Sequence, residues 1–163
     1  MDPPIGFGTR PMLMTDLTVA LRPDGPARML AIFDLIGFGE YVELYGRLEG
    51  QDMIVRVGDR LAEAIEQPAR FYRPRGTEFA ALLEVPLATA GEQLAAAVLA
   101  LRERFTRFNL TLAFGAVMLP AEALEPVDAL ILADERLSLN AHARRRRERR
   151  YAQRAKPAPG PAL

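Results

Sequence analysis

Cysteine is absent from the 163-residue chain, which excludes a disulfide framework, a zinc–thiolate centre and a cysteine nucleophile. Histidine occurs once, at His142, with no second histidine or cysteine at ligand spacing, so a surface place on a polar helix end is expected rather than a metal role. There is no apolar run of 18 residues and no signal-peptide pattern, which points to a soluble cytoplasmic protein. There is no internal repeat. Net charge is also lacking, but only in the total. From Arg144 onward there are eight basic residues against one acid, Glu148, while the preceding chain holds 13 basic and 20 acidic residues. An acidic body therefore carries a basic tail.

What is present suits one compact domain. Half of the residues are hydrophobic, and a chain of this length buries roughly 70% of the surface its unfolded form exposes. The expected organisation is a single domain over residues 1–150, followed by a basic, Pro- and Ala-rich disordered tail over 151–163.

Residues 1–10 are rich in Gly and Pro and read as an irregular lead-in. A helix is expected from Pro11 to Leu21, then a turn at Arg22–Pro26. Ala27 to Leu35 is apolar at nearly every position, the pattern of a central strand covered on both faces. Phe38, Tyr41, Val42 and Tyr45 recur at helical spacing, Phe38, Tyr41 and Tyr45 being read as core, with Gly46 ending that helix. Met53, Ile54, Val57, Leu61, Ala64 and Ile65 form a second helical stripe, stopped by Pro68. Ala69–Arg73 and Glu78–Val85 read as a hairpin, and one of Phe71 and Tyr72 must point outward from it. Thr89 to Glu92 fits a capping box, and the helix it opens places Leu94, Ala97, Val98, Leu101 and Phe105 on one face. Leu110–Met118 is a further strand. A last helix from about Pro126 carries Val127, Leu130, Ile131 and Leu137 and runs toward the arginine block. The expected fold class is α/β: a sandwich with a central mixed sheet of about five strands flanked by helices.

Two carboxylates stand at strand ends, Asp34 after the apolar run and Glu78 at the tip of the hairpin Arg75-Gly-Thr-Glu-Phe79. Such a pair could hold a metal and a nucleotide phosphate. Arg144, Arg145, Arg146, Arg147, Arg149 and Arg150 fill six of seven consecutive positions. They exceed what a helix end needs for its dipole and could contact phosphates of a nucleic acid or an anionic membrane surface. Beyond Tyr151 no aromatic accompanies them, which argues against a single-strand reader.

Six pieces in order resemble the GGDEF domain of bacterial diguanylate cyclases, over Asp2 to about Arg145. Asp2-Pro-Pro-Ile-Gly-Phe-Gly-Thr-Arg10 is similar to the family's opening Asp-x-Leu-Thr-Gly-Leu-x-Asn-Arg. Phe33-Asp-Leu-Ile-Gly-Phe38 is similar to its Asp-x-Asp-x-Phe-Lys strand end. Gly46 and Gly50 fall at its Gly-His-x-x-Gly-Asp turn, and Arg75-Gly-Thr-Glu-Phe79 occupies the signature. Leu110-Thr-Leu-Ala-Phe-Gly115 resembles its Thr-x-Ser-x-Gly strand, and Ala133-Asp134 the start of its last helix. The resemblance implies a GGDEF, nucleotidyl-cyclase-like sandwich. It implies an activity that joins two GTP molecules into cyclic di-GMP across two facing domains, with metal ions between carboxylates and triphosphate. The chain begins at the family's domain boundary, as a domain cut from a longer receptor would.

The resemblance places the first metal aspartate at Asp34 and the backbone ligand at Leu35, and Glu78 retains the signature's second acid. Asp34 and Glu78 are thus remnants of the catalytic set. Nucleotide contacts fall at Arg75, Gly76, Thr77, Gln51 and Arg145. The departures concentrate on the chemistry. The second aspartate is Ile36, a phosphate lysine is Gly39, the guanine readers are Val42 and Gln51, the metal acid of the signature is Thr77, and another phosphate lysine is Ala141. Glu66-Gln-Pro-Ala69 lacks both charges of the family's inhibitory product site. Because fold does not fix chemistry, the expected function is a catalytically impaired signalling domain acting by protein interaction or homodimerisation, with residual GTP or cyclic di-GMP binding. Mg²⁺ or Mn²⁺ enters only with a nucleotide. One alternative is a divergent metal-dependent nucleotidyl cyclase or nucleotide hydrolase using Asp34 and Glu78. Another is polyanion binding through Arg144–Arg150.

Overall fold

The computed structural model describes residues 6–66, 68–84, 89–104 and 109–154. Nine elements follow in order: α1 Arg10–Ala20, β1 Arg28–Ile36, α2 Phe38–Ala64, β2 Ala69–Arg75, β3 Glu78–Glu84, α3 Ala90–Ala100, β4 Glu103–Arg104, β5 Asn109–Leu119 and α4 Pro126–Arg154. The five strands form one sheet in the order β2-β3-β1-β5-β4. Every ladder between strands is antiparallel, so the mixed sheet expected from the sequence is corrected. β2 runs in the same sense as β1, but the hairpin inserts β3 between them. Among the described residues, an isolated parallel bridge joins Gly8 to Tyr72 of β2.

β1 is central, and its unbroken apolar sequence reflects cover on both faces. Met29, Ala31, Phe33 and Leu35 pack toward α2 and α3 with Met53, Ile54, Val57, Leu61, Leu94 and Val98. Leu30 and Ile32 pack toward α1 and α4 with Leu13, Leu17, Ala129 and Ala133. Phe105 lies outside the described residues. The described part of the lead-in, from residue 6 onward, is better anchored than its Gly content implies. Gly8 N–H donates to the Phe71 carbonyl at 2.9 Å, Arg73 N–H donates to the Gly8 carbonyl at 2.8 Å, and buried Phe7 stacks on Phe71 at 5.4 Å. Tyr72, on the other face, is buried and its hydroxyl donates to Asp16 Oδ2 at 2.5 Å.

Four local expectations change. Tyr45, read as core, is half exposed, because Gly46 adopts φ 87° and divides α2 into two arms. The turn back brings buried Gly50 against Val42 and Phe38, where a Cβ would lie 2.8 Å from Val42 Cγ2. Thr89 precedes α3 without a side-chain cap hydrogen bond, so the capping box does not form. α4 buries Ala129, Ala133, Leu137 and Ala141, while Val127 and Ile131 face outward. It also continues to Arg154, so residues 151–154 are helical rather than part of a disordered tail. No helix among the described residues is long and apolar enough to cross a membrane.

The alanine face of α4 follows from how closely the helix lies on β5. A Cβ built on Gly115 would overlap the Ala133 carbonyl oxygen and the Leu137 nitrogen. β4 covers only Asn109 and Leu110 of β5, and α4 with its preceding loop serves backbone groups beyond it. Phe114 N–H donates to Asn140 Oδ1 at 3.0 Å, Arg136 Nη1 donates to the Ala116 carbonyl at 2.7 Å, and Met118 N–H donates to Glu122 Oε2 at 2.8 Å. These side chains satisfy a sheet edge on which, among the described residues, no further strand pairs. Gly115→Ala is expected to destabilise the fold by about 2–3 kcal/mol, since the clash is with backbone that cannot rotate away. Urea unfolding checks this, and a loss below about 0.5 kcal/mol would contradict the close contact.

Candidate functional site

Asp34 and Glu78 are direct cross-strand partners on β1 and β3. An antiparallel pair sends both side chains to one face, here that of α1 and α4. The hairpin tip is held from both sides. Arg73 donates through Nε and Nη2 to the Gly76 carbonyl at 3.0 and 2.9 Å, and Leu35 N–H donates to the Thr77 carbonyl at 3.2 Å. Thr77 Oγ1 then donates to Asp34 Oδ1 at 2.9 Å. Burial pushes the Glu78 carboxyl above its ordinary range. The Arg75 guanidinium opposes that rise, and Asp134 of α4 and Asp34 reinforce it.

A divalent ion, as the family resemblance implies, would have to be held by Asp34, the Leu35 carbonyl and Glu78. The donor set does not fit it. One oxygen of Asp34 is engaged by a neutral hydroxyl, and Glu78 is displaced toward its protonated form. Among the described residues no group of three or more acids or histidines is arranged as a metal site. A hard cation of the Mg²⁺ kind favours several anionic oxygens.

Four of the predicted metal- and nucleotide-site residues border two separate clefts, while Asp34, Gly76 and Thr77 line neither. Arg75 and Glu78 border a small one of about 160 Å³ with Arg10, Asp134 and the apolar Ile32, Val127, Leu130 and Ile131. Leu35 and Arg145 border another, of about 370 Å³, between the β1–α2 corner and the far end of α4, where Arg149 and Glu148 also face it. Gln51 is exposed on the second arm of α2 and lines neither cleft.

The arginine run is not one surface. Arg144 is half-buried and donates through Nε to Asn140 Oδ1 at 3.0 Å. Burial lowers its guanidinium pKa, with Arg147 and Arg102 acting in the same direction. Glu148, one turn on, accepts from Arg102 Nη2 at 2.7 Å and from the Asn109 amide. Arg145 and Arg149, four residues apart, face the larger cleft, while Arg146, Arg147 and Arg150 are exposed. His142 is exposed, as expected.

Three positions far apart in sequence come together nearby. Ile36, Ala113 and Ala141 form a small buried apolar cluster between β1, β5 and α4. Sequence reasoning gave no site role to Arg10 or Asp134, and placed Arg149 only among the polyanion-binding arginines, not at this cleft. For Arg149, the four-residue interval from Arg145 was the available signal. For Arg10 and Asp134 only the fold shows the proximity.

A family model described as diguanylate cyclase, GGDEF domain, matches residues 7–147, and the chain belongs to the GGDEF family. It is similar to the GGDEF domain of YfiN (TpbB) from Pseudomonas aeruginosa, at 21% identity and TM-score 0.73, covering 87% of this chain and 88% of that one. Diguanylate cyclase SiaD of Pseudomonas aeruginosa, solved in complex with its activator SiaC, is 22% identical with TM-score 0.71, covering 87% of this chain and 58% of SiaD. The GGDEF domain of DgcB from Caulobacter crescentus, solved in complex with cyclic di-GMP, is 19% identical with TM-score 0.72, covering 88% and 90%. No curated protein sequence matches the chain.

The raised pKa of Glu78 has a defined sign. The folded state holds that proton more tightly than the unfolded chain, so stability is highest below the unfolded carboxyl value. It falls as pH rises through the folded one. Glu78→Gln is expected to raise the urea midpoint at about pH 7.5 and leave it nearly unchanged at about pH 3.5. An equal effect at both would contradict the burial of the charge.

Proposed function

We propose that this GGDEF domain no longer joins GTP into cyclic di-GMP and acts as a signalling element through protein contact, with a second copy or another signalling protein as partner. The observation that carries this reading is the Ile36–Ala113–Ala141 cluster. The family resemblance assigns a metal aspartate to the position of Ile36 and a phosphate lysine to that of Ala141. The two replacements lie in one buried apolar cluster, so positions that the family uses for ions have become a piece of core. The same holds at the hairpin, where Thr77 spends its hydroxyl on Asp34, and at Val42, a guanine-reading position that packs on Gly50. An apolar wall rejects a base that needs buried hydrogen-bond partners. Protein contact has a precedent in SiaD, solved with its activator SiaC.

Purified protein incubated with GTP or ATP and Mg²⁺ or Mn²⁺ is expected to give no cyclic or linear dinucleotide on chromatography. Product above a protein-free control, lost in Asp34→Asn or Glu78→Gln, would overturn the proposal.

A second reading, retained binding of nucleotide phosphates, is favoured by Arg145 and Arg149 facing the start of α2 across the larger cleft. Free N–H groups at a helix start and two guanidiniums suit an anion. A ligand at about five times its Kd stabilises by about 1 kcal/mol. Millimolar GTP or cyclic di-GMP is therefore expected to raise the melting temperature of the unaltered chain and not that of Arg145→Ala. The absence of any shift would remove this reading.

A further inference from the structure

Most of the outward surface on the last three turns of α4 has no part in either cleft. Six arginines there are exposed: Arg145, Arg146, Arg147, Arg149, Arg150 and Arg154. None is in an ion pair among the described residues. The one acid of this stretch, Glu148, is spent on Arg102 and the Asn109 amide. The chain before Arg144 holds 13 basic and 20 acidic residues, so the positive surface is confined to this helix end. At about 100° per residue, Arg145 and Arg149 lie on one flank, Arg146 and Arg150 in the middle, and Arg147 and Arg154 on the other flank. Together they span an arc of roughly 200°. The rest of the circumference faces the body through Ala141, Arg144 and Glu148. Beyond Glu148 the helix runs on to Arg154, a further length of about 9 Å.

We infer that this end of α4 binds double-stranded DNA, entering the major groove and gripping the phosphate backbone. The major groove of B-form DNA, about 12 Å wide, admits one α-helix, and phosphates of both strands border it. A helix with arginines only in its middle would meet bases or one strand. Arginines on both flanks meet both walls, and each guanidinium suits a phosphate through paired N–H donors. The rival polyanions fit the same surface less well. Duplex RNA has a major groove too narrow for side chains to read. A single strand calls for stacking rings, and Tyr151 is the one aromatic between residues 142 and 154. A helix lying in a membrane surface needs an apolar face opposite its cations, and here that face is occupied by the protein body. This binding role is separate from the proposed protein contact and does not depend on it.

Fluorescence anisotropy of a labelled, mixed-sequence DNA duplex of about 20 base pairs, titrated with the full chain, tests this. Micromolar affinity is expected at about 50 mM salt, falling by roughly a hundred- to a thousandfold at about 200 mM, as about four to six phosphate contacts dictate. Arg146→Glu with Arg150→Glu, and separately Arg147→Glu with Arg154→Glu, are each expected to lower affinity at least tenfold and to flatten the salt dependence, with circular dichroism unchanged. Arg22→Glu with Arg47→Glu makes the same change in charge at two arginines exposed elsewhere. It is expected to leave affinity within about twofold. An equal loss in that control would show that overall charge, not the helix end, governs binding, and would overturn the inference. So would no binding at about 50 mM salt. Tighter binding to an RNA duplex, to single-stranded DNA of the same length or to vesicles of phosphatidylglycerol and phosphatidylcholine would overturn it as well.

Discussion

The close seating of α4 on β5 is the contact on which the rest of this structure depends. It requires a residue without Cβ at Gly115 and small residues at Ala129 and Ala133, because the helix backbone lies where a side chain would otherwise stand. On the side away from β1, β5 has only the two-residue β4 beside it among the described residues. Asn140 and Arg136 of the helix, with Glu122 before it, take up backbone groups that another strand would satisfy. Arg136 is clamped in turn by Glu122, whose carboxyl this hydrogen bond holds down at about 2. Helix and strand are thus joined by the closest packing at Gly115 and by hydrogen bonds on either side of it.

That seating decides what α4 can present. With Ala133 over Gly115, the body-facing line continues to Ala141, which reaches Ile36, then to Arg144 and Glu148, which are held by Asn140, Arg102 and Asn109. Arg145 and Arg149 are turned to the β1–α2 corner, and Arg146 and Arg150 outward. A run of six arginines that is uniform in sequence therefore serves three different environments. At the opposite corner the antiparallel register brings Asp34, Thr77 and Glu78 together, but as a hydroxyl-to-carboxylate hydrogen bond beside a carboxyl displaced toward neutrality.

Much of the fold was legible in the chain. The continuous apolar run of β1, the helical stripe from Met53 to Leu61 and the hairpin at Gly76 encode burial, period and turn directly, and the GGDEF membership rests on motifs quoted in order. The misses share a cause. Period alone cannot say which face of α4 is buried when closeness of approach, rather than hydrophobicity, selects alanine over Val127 and Ile131. The break at Gly46 exposes Tyr45 although its spacing is regular. The mixed sheet failed because strand neighbours depend on where a hairpin inserts. At the site, Asp34 and Glu78 were recognisable as strand-end acids. That Ile36 meets Ala141, and Thr77 meets Asp34, are long-range contacts which only the assembled sheet and helix create.

The central claim is that positions which the family uses for ions have here been rebuilt as apolar and hydrogen-bonded contacts. Calorimetric titration of Mn²⁺ into the full chain, with and without GTP, tests it most directly. The account predicts no Asp34-dependent binding up to millimolar metal in either case. A micromolar Kd for Mn²⁺ that Asp34→Asn abolishes would contradict it.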